Sequence, residues 1–124
     1  MYEPIRTKSV HSTMAADARI PHRSREEELD IQLAGHLAAL LAVTDELGLT
    51  EAGDAIAAQV ARLRGGHPPV RHAGLSRAAA PALHGRAHAL AGRALVVAAS
   101  RADTAAAILA AERMDAHSAA TAAL

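Results

Sequence analysis

The chain has no cysteine, no phenylalanine and no tryptophan, and Tyr2 is its single aromatic residue. Without cysteine there is no disulfide framework, no thiolate nucleophile and no c-type haem attachment. Without aromatics there are no stacking platforms of the kind that single-stranded nucleic acids use. Side-chain amides for reading base edges are equally scarce, limited to Gln32 and Gln59. Long apolar runs are missing as well. The longest aliphatic patch is Leu95-Val96-Val97, set among alanines, so no membrane span is expected. The N-terminal residues lack an apolar signal core, which leaves a cytoplasmic location as the expectation. No HExxH or ExxH pair, no GxSxG, no Walker A and no Rossmann glycine pattern occurs. Zincin, di-metal carboxylate, serine-hydrolase and nucleotide-binding chemistry therefore lose their usual signatures. A non-enzymatic protein is expected.

Bulky aliphatic residues are also few: 14 Leu, 5 Ile and 6 Val in 124 residues. The hydrophobic fraction of 51% is mostly alanine. Alanine is the best helix former but buries little area. It predicts helices that approach closely around a thin core. A thin core in a short chain commonly gains stability from a second subunit. A homo-oligomer, most simply a dimer, is the expected state, with a protein partner as a further possibility.

What is present reads as an all-α antiparallel bundle of about four helices. Residues 1–23 show no period and contain Pro4 and Pro21, which predicts an N-terminal arm. Residues 24–124 read as one helical domain. Ser24-Arg25-Glu26-Glu27 is a capping box, followed by acids that suit a helix N-terminus. The first helix is predicted over 24–47, with a stripe of Leu29, Leu33, His36, Leu37, Leu40, Val43 and Leu47 ended by Gly48. A second is predicted over 50–64, with Thr50 as its cap and Gly65-Gly66 as its stop. Residues 65–75 read as a linker. A third helix is predicted over 77–99, helped by Pro81 in its first turn and striped by Leu83, Leu90 and Val97. The pattern Ser100-Arg101-Ala102-Asp103 predicts a hairpin into a fourth helix over 103–120 rather than one continuous rod.

Eight histidines invite a metal reading. His84 and His88 stand one turn apart on the third helix and could chelate one ion, zinc or another divalent metal. A zinc site needs a third ligand from another element. His36, on the stripe of the first helix, is the candidate. At 100° per residue the pair lies off the Leu90 stripe. His36, His84, His88 and His117 do not converge in a simple bundle, so a site would have to form across a dimer. A stripe histidine also needs a hydrogen-bond partner if buried. Glu112 or Asp115 on the fourth helix is the expected partner of His36, and the pair would be a structural contact or a pH-sensitive one.

Charge is balanced overall but unevenly placed. Residues 1–54 carry ten acids and five bases, whereas residues 55–102 carry seven arginines and no acid. Arg62, Arg64, Arg86, Arg93 and Arg101 are therefore candidate anion- or partner-binding residues. The competing expectation is internal neutralisation by the acidic first helix, and it is the stronger one. Nucleic acid is a weak candidate for the reasons above. Two fragments resemble known families. Gly92 through Ile108 is similar to one tetratricopeptide-type hairpin, but a solenoid needs several copies. Arg62 and His67 resemble the Arg/His pair of HEPN ribonucleases, but here they straddle a helix end and Gly65-Gly66. Neither implies a function. The expected function is self-association and partner binding through the Ala/Leu faces of the first and third helices. A metal- or anion-binding module is the alternative.

Overall fold

A computed structural model describes residues 24–72 and 79–123. The predicted arm 1–23 and the predicted start of the third helix at residue 77 lie outside these described residues. Among the described residues the chain forms four helices, α1 Arg25–Glu46, α2 Thr50–Leu63, α3 Ala80–Arg101 and α4 Thr104–Ala123.

The capping box forms as predicted. Ser24 Oγ accepts from the Glu27 N–H at 3.1 Å, and Glu27 Oε1 accepts from the Ser24 N–H at 3.0 Å. Three glutamates follow in the first turn, where the helix dipole favours them. Gly48, at φ +73, turns the chain into α2. The cap of α2 differs from expectation: Leu49 holds that position without a side-chain bond, and Thr50 is already helical.

The hairpin between α3 and α4 is present, but its cap is not Ser100. The Ser100 hydroxyl donates back to Val96 O within α3. Ala102 adopts the left-handed conformation at φ 58, and Asp103 Oδ1 accepts from the Ala106 N–H at 3.1 Å. Asp103 wins because its carboxylate suits a helix N-terminus electrostatically as well as geometrically.

α1 packs on α2 and α3, α4 packs mainly on α3, and α4 touches α2 only lightly. The diagonal pairs, α1 with α4 and α2 with α3, are not in contact. Ion pairs fix the directions. Arg101 at the end of α3 bonds Asp30 near the start of α1, and Arg62 at the end of α2 bonds Asp103 at the start of α4. Every neighbouring pair is therefore antiparallel, and the crossing from the end of α2 to the start of α3 begins with residues 64–72.

The core contains Leu33, Leu37, Leu40 and Leu41 of α1 and Ile56 and Val60 of α2. α3 contributes Leu83 and then only alanine: Ala87, Ala91, Ala94 and Ala98. This corrects the predicted Leu83/Leu90/Val97 stripe, since Leu90 and Val97 are only half-buried. α3 lies between two helices, α1 and α4, and small side chains let both axes approach toward the short end of the usual ~8–10 Å spacing. Gly92 continues that contact, since a Cβ there would stand 3.6 Å from Met114 Cε of α4.

Candidate functional site

The rotation of α3 onto its alanine face changes where its histidines go. His84 and His88 flank the buried stripe on the side facing α4. There His84 Nδ1 meets His117 Nδ1 at 2.9 Å, with the ring centroids 5.1 Å apart. His117 is 1% exposed. One turn earlier on α4, Arg113 Nη2 stands 3.5 Å from His117 Nε2. His88 and His117 both line a cleft of about 390 Å³ with Ser118 and Thr121. Thus His84, His88 and His117 do gather within one protomer, contrary to the sequence expectation. His36 is not among them. It is half-buried on α1, which does not touch α4. Glu112 and Asp115 are exposed on α4 and make no bond to His36 among the described residues. The expected His36–carboxylate pair is not formed, because α1 and α4 occupy diagonal corners.

The protonation pattern follows from donors and acceptors. Arginine has only donors, so the His117 Nε2 facing Arg113 is the accepting nitrogen. Neutral His117 then carries its proton on Nδ1 and donates it to His84 Nδ1. Burial pushes the His117 pKa down to about 4, and coulombic effects of Arg113, His84 and His88 lower it further. The chain Arg113–His117–His84 is a neutral relay ending on a cation. Arg113 Nε is buried and has no partner among the described residues.

The His84–His117 contact is a hydrogen bond rather than a spacing for a shared zinc ion. A ligating imidazole normally donates its second N–H to a carboxylate or carbonyl, whereas that nitrogen of His117 faces a guanidinium. Two imidazole nitrogens on one tetrahedral ion at ~2.0–2.1 Å would stand about 3.3 Å apart, wider than the observed contact. Among the described residues no group of three or more His, Asp or Glu is arranged to hold a metal ion.

Among the described residues, three arginines of the acid-free segment are neutralised from within. Arg62 bonds Asp103 at 2.7 Å. Arg101 bonds Asp30 at 3.0 Å and lies 3.7 Å from Glu26. Arg71 grips Asp45 with two nitrogens, at 2.9 and 3.1 Å, and reaches Asp54 at 3.0 Å. Asp45 also accepts the His72 N–H at 3.0 Å, and its side chain is 4% exposed. The Arg71 hydrogen bond holds the Asp45 carboxyl below the usual range, against the opposing effect of burial. This pair ties the crossing segment to α1 and α2. Sequence reading missed it, although an acid at the C-terminal end of α1 opposes the helix dipole and so signals a cation nearby. Of the candidate anion-binding residues, Arg62 and Arg101 are thus committed internally. Arg64, Arg86 and Arg93 make no ion pair among the described residues.

Two surfaces remain open. The light α2/α4 contact leaves a cleft of about 620 Å³, lined by Leu49, Thr50, Ala52, Leu109, Glu112 and Arg113 among others. On the outside of the α3/α4 hairpin, Val96 is 66% and Ile108 55% exposed. Among the described residues no helix is long and apolar enough to cross a membrane. No protein-family model, curated protein or solved structure matches this chain.

Proposed function

We propose that this protein is a non-enzymatic helical module that acts by self-association and by binding a protein partner. One observation carries the reading: Val96 and Ile108 are both exposed on the outside of the hairpin. Each sits about one and a half turns from the Ala102-Asp103 bend, so they lie level on adjacent helices. Such exposed large aliphatic side chains on a small protein are candidate contacts of an association surface. The thin core supports the same reading, because two helices contribute mainly alanine to it. The Ala/Leu faces of α1 and α3, the expected interface, are consumed by the intramolecular core, which moves the candidate surface outward to α3 and α4. The inner histidine stays neutral between a cation and a second imidazole, which favours a structural role.

Native mass spectrometry of untagged protein prepared without chelator tests the reading. A dimer with no added mass is expected. A strictly monomeric species carrying a stoichiometric small-molecule or metal adduct would overturn it.

A further inference from the structure

We infer that the outer face of the α3/α4 hairpin is the seat of a second copy of this chain, in a two-fold dimer whose axis runs parallel to the helices. The inference rests on the self-association reading and specifies its interface. The face is mostly small and apolar, apart from the exposed Asp115 and Ser118 of α4, which stand within it. Gly85, Ala89, Val96 and Ala99 of α3 are exposed, as are Ile108 and Ala122 of α4. The other charges stand at its two edges and differ in sign. At 100° per residue, Val96 lies between Gly92, which abuts Met114 of α4, and Arg93. Arg86 and Arg93 therefore flank the face on its α1 side. On α4, Glu112 flanks Ile108 on the opposite side, where it also lines the α2/α4 cleft. Arg86, Arg93, Glu112 and Asp115 make no ion pair within the described chain.

A two-fold axis parallel to the bundle sets α3 of one copy over α4 of the other without changing height. Arg93 and Glu112 each lie about two and a half turns from the hairpin bend. Val96 then meets the partner's Ile108, and Arg93 at one edge meets the partner's Glu112 at the matching edge. Arg86 falls about one turn beyond the partner's Asp115, within reach of a long side chain. Symmetry forms each contact twice. All four helices at the junction alternate in direction, as in an antiparallel bundle. A face two helices wide and about four turns long buries roughly 500 Å² per copy, near the lower bound of a specific interface. A concentration-dependent, micromolar dimer follows.

Sedimentation velocity over a concentration series tests this, with circular dichroism to show that each variant keeps its helices. R93E and E112R are each expected to weaken the dimer by about tenfold, since each turns two attractions into two repulsions. Mixing the two single variants restores opposite charges at both edges and is expected to recover the wild-type affinity in a heterodimer. Wild-type protein that stays monomeric throughout would overturn both the function reading and this interface. A dimer indifferent to both substitutions and to Val96→Asp would overturn this face alone. Weakening without recovery on mixing would overturn the proposed register.

Discussion

Acidification should loosen this protein through His117 before it reaches any carboxylate. The imidazole titrates near 6.5 when unfolded and near 4 when folded, because it is buried against Arg113 and His84. The folded form binds its proton less readily, so stability is fully present above about 6.5 and declines as pH falls toward 4. The full difference is about 2.5 pH units, or roughly 3 kcal/mol. Moving from about pH 7.5 to about pH 5.5 samples part of it, a loss of about 1.4 kcal/mol. Because His117 is 1% exposed, solvent screening does little to reduce this. Asp45 and Asp103 contribute only at lower pH. Asp45 is held below the usual range chiefly by its Arg71 hydrogen bond. Burial opposes the lowering at Asp103, but bonds from Arg62 and the Ala106 N–H outweigh it. Urea unfolding of wild type and His117→Leu at the two pH values gives the measurement. The expected result is a lower midpoint at the acidic pH for wild type and a much smaller drop for the variant. An equal drop in both proteins would refute the assignment to His117.

Three further outcomes are expected. Ala102→Gly should stabilise the fold by about 0.5–1 kcal/mol, because glycine relieves the left-handed strain at φ 58; a lowered melting temperature would contradict that. Gly53→Ala should destabilise by about 1–2 kcal/mol, because a Cβ there would stand 2.6 Å from Arg71 Nη2 and 3.0 Å from Asp45 Oδ1. The same substitution placed in an Asp45→Ala background should cost less, which a double-mutant cycle of unfolding midpoints would read. Calorimetric titration with zinc should show no tight stoichiometric site; tight binding that His84→Ala removes would contradict the tautomers assigned to the relay.

Much of the fold is legible in local patterns. Ser24 with Glu27, Gly48, Gly65-Gly66 and the Ala102-Asp103 bend mark helix limits through bonds that span only a few residues. Such signals survive without knowledge of what packs where. Cap identity was harder, since Ser100 and Asp103 both have capping chemistry and the choice between them rests on the bend geometry together with the charge of Asp103. The face of α3 was misread for a related reason. Leucine ordinarily marks the buried side, but a helix held between two others selects its narrowest side, which here is alanine.

The candidate site depended almost wholly on that choice. Local pattern alone specifies the amphipathic helices, a thin aliphatic core, the lack of thiol and near-lack of aromatic chemistry, and an arginine segment in need of counter-charges. Which acids supply them, that α1 and α4 stand diagonally so that His36 finds no carboxylate, and that His84 meets His117 depend on how the helices pack. The difference is one of range. Helix propensity, capping and hydrophobic period act within a turn or two, whereas the partners of a buried imidazole or carboxylate are set by the rotation and adjacency of whole helices.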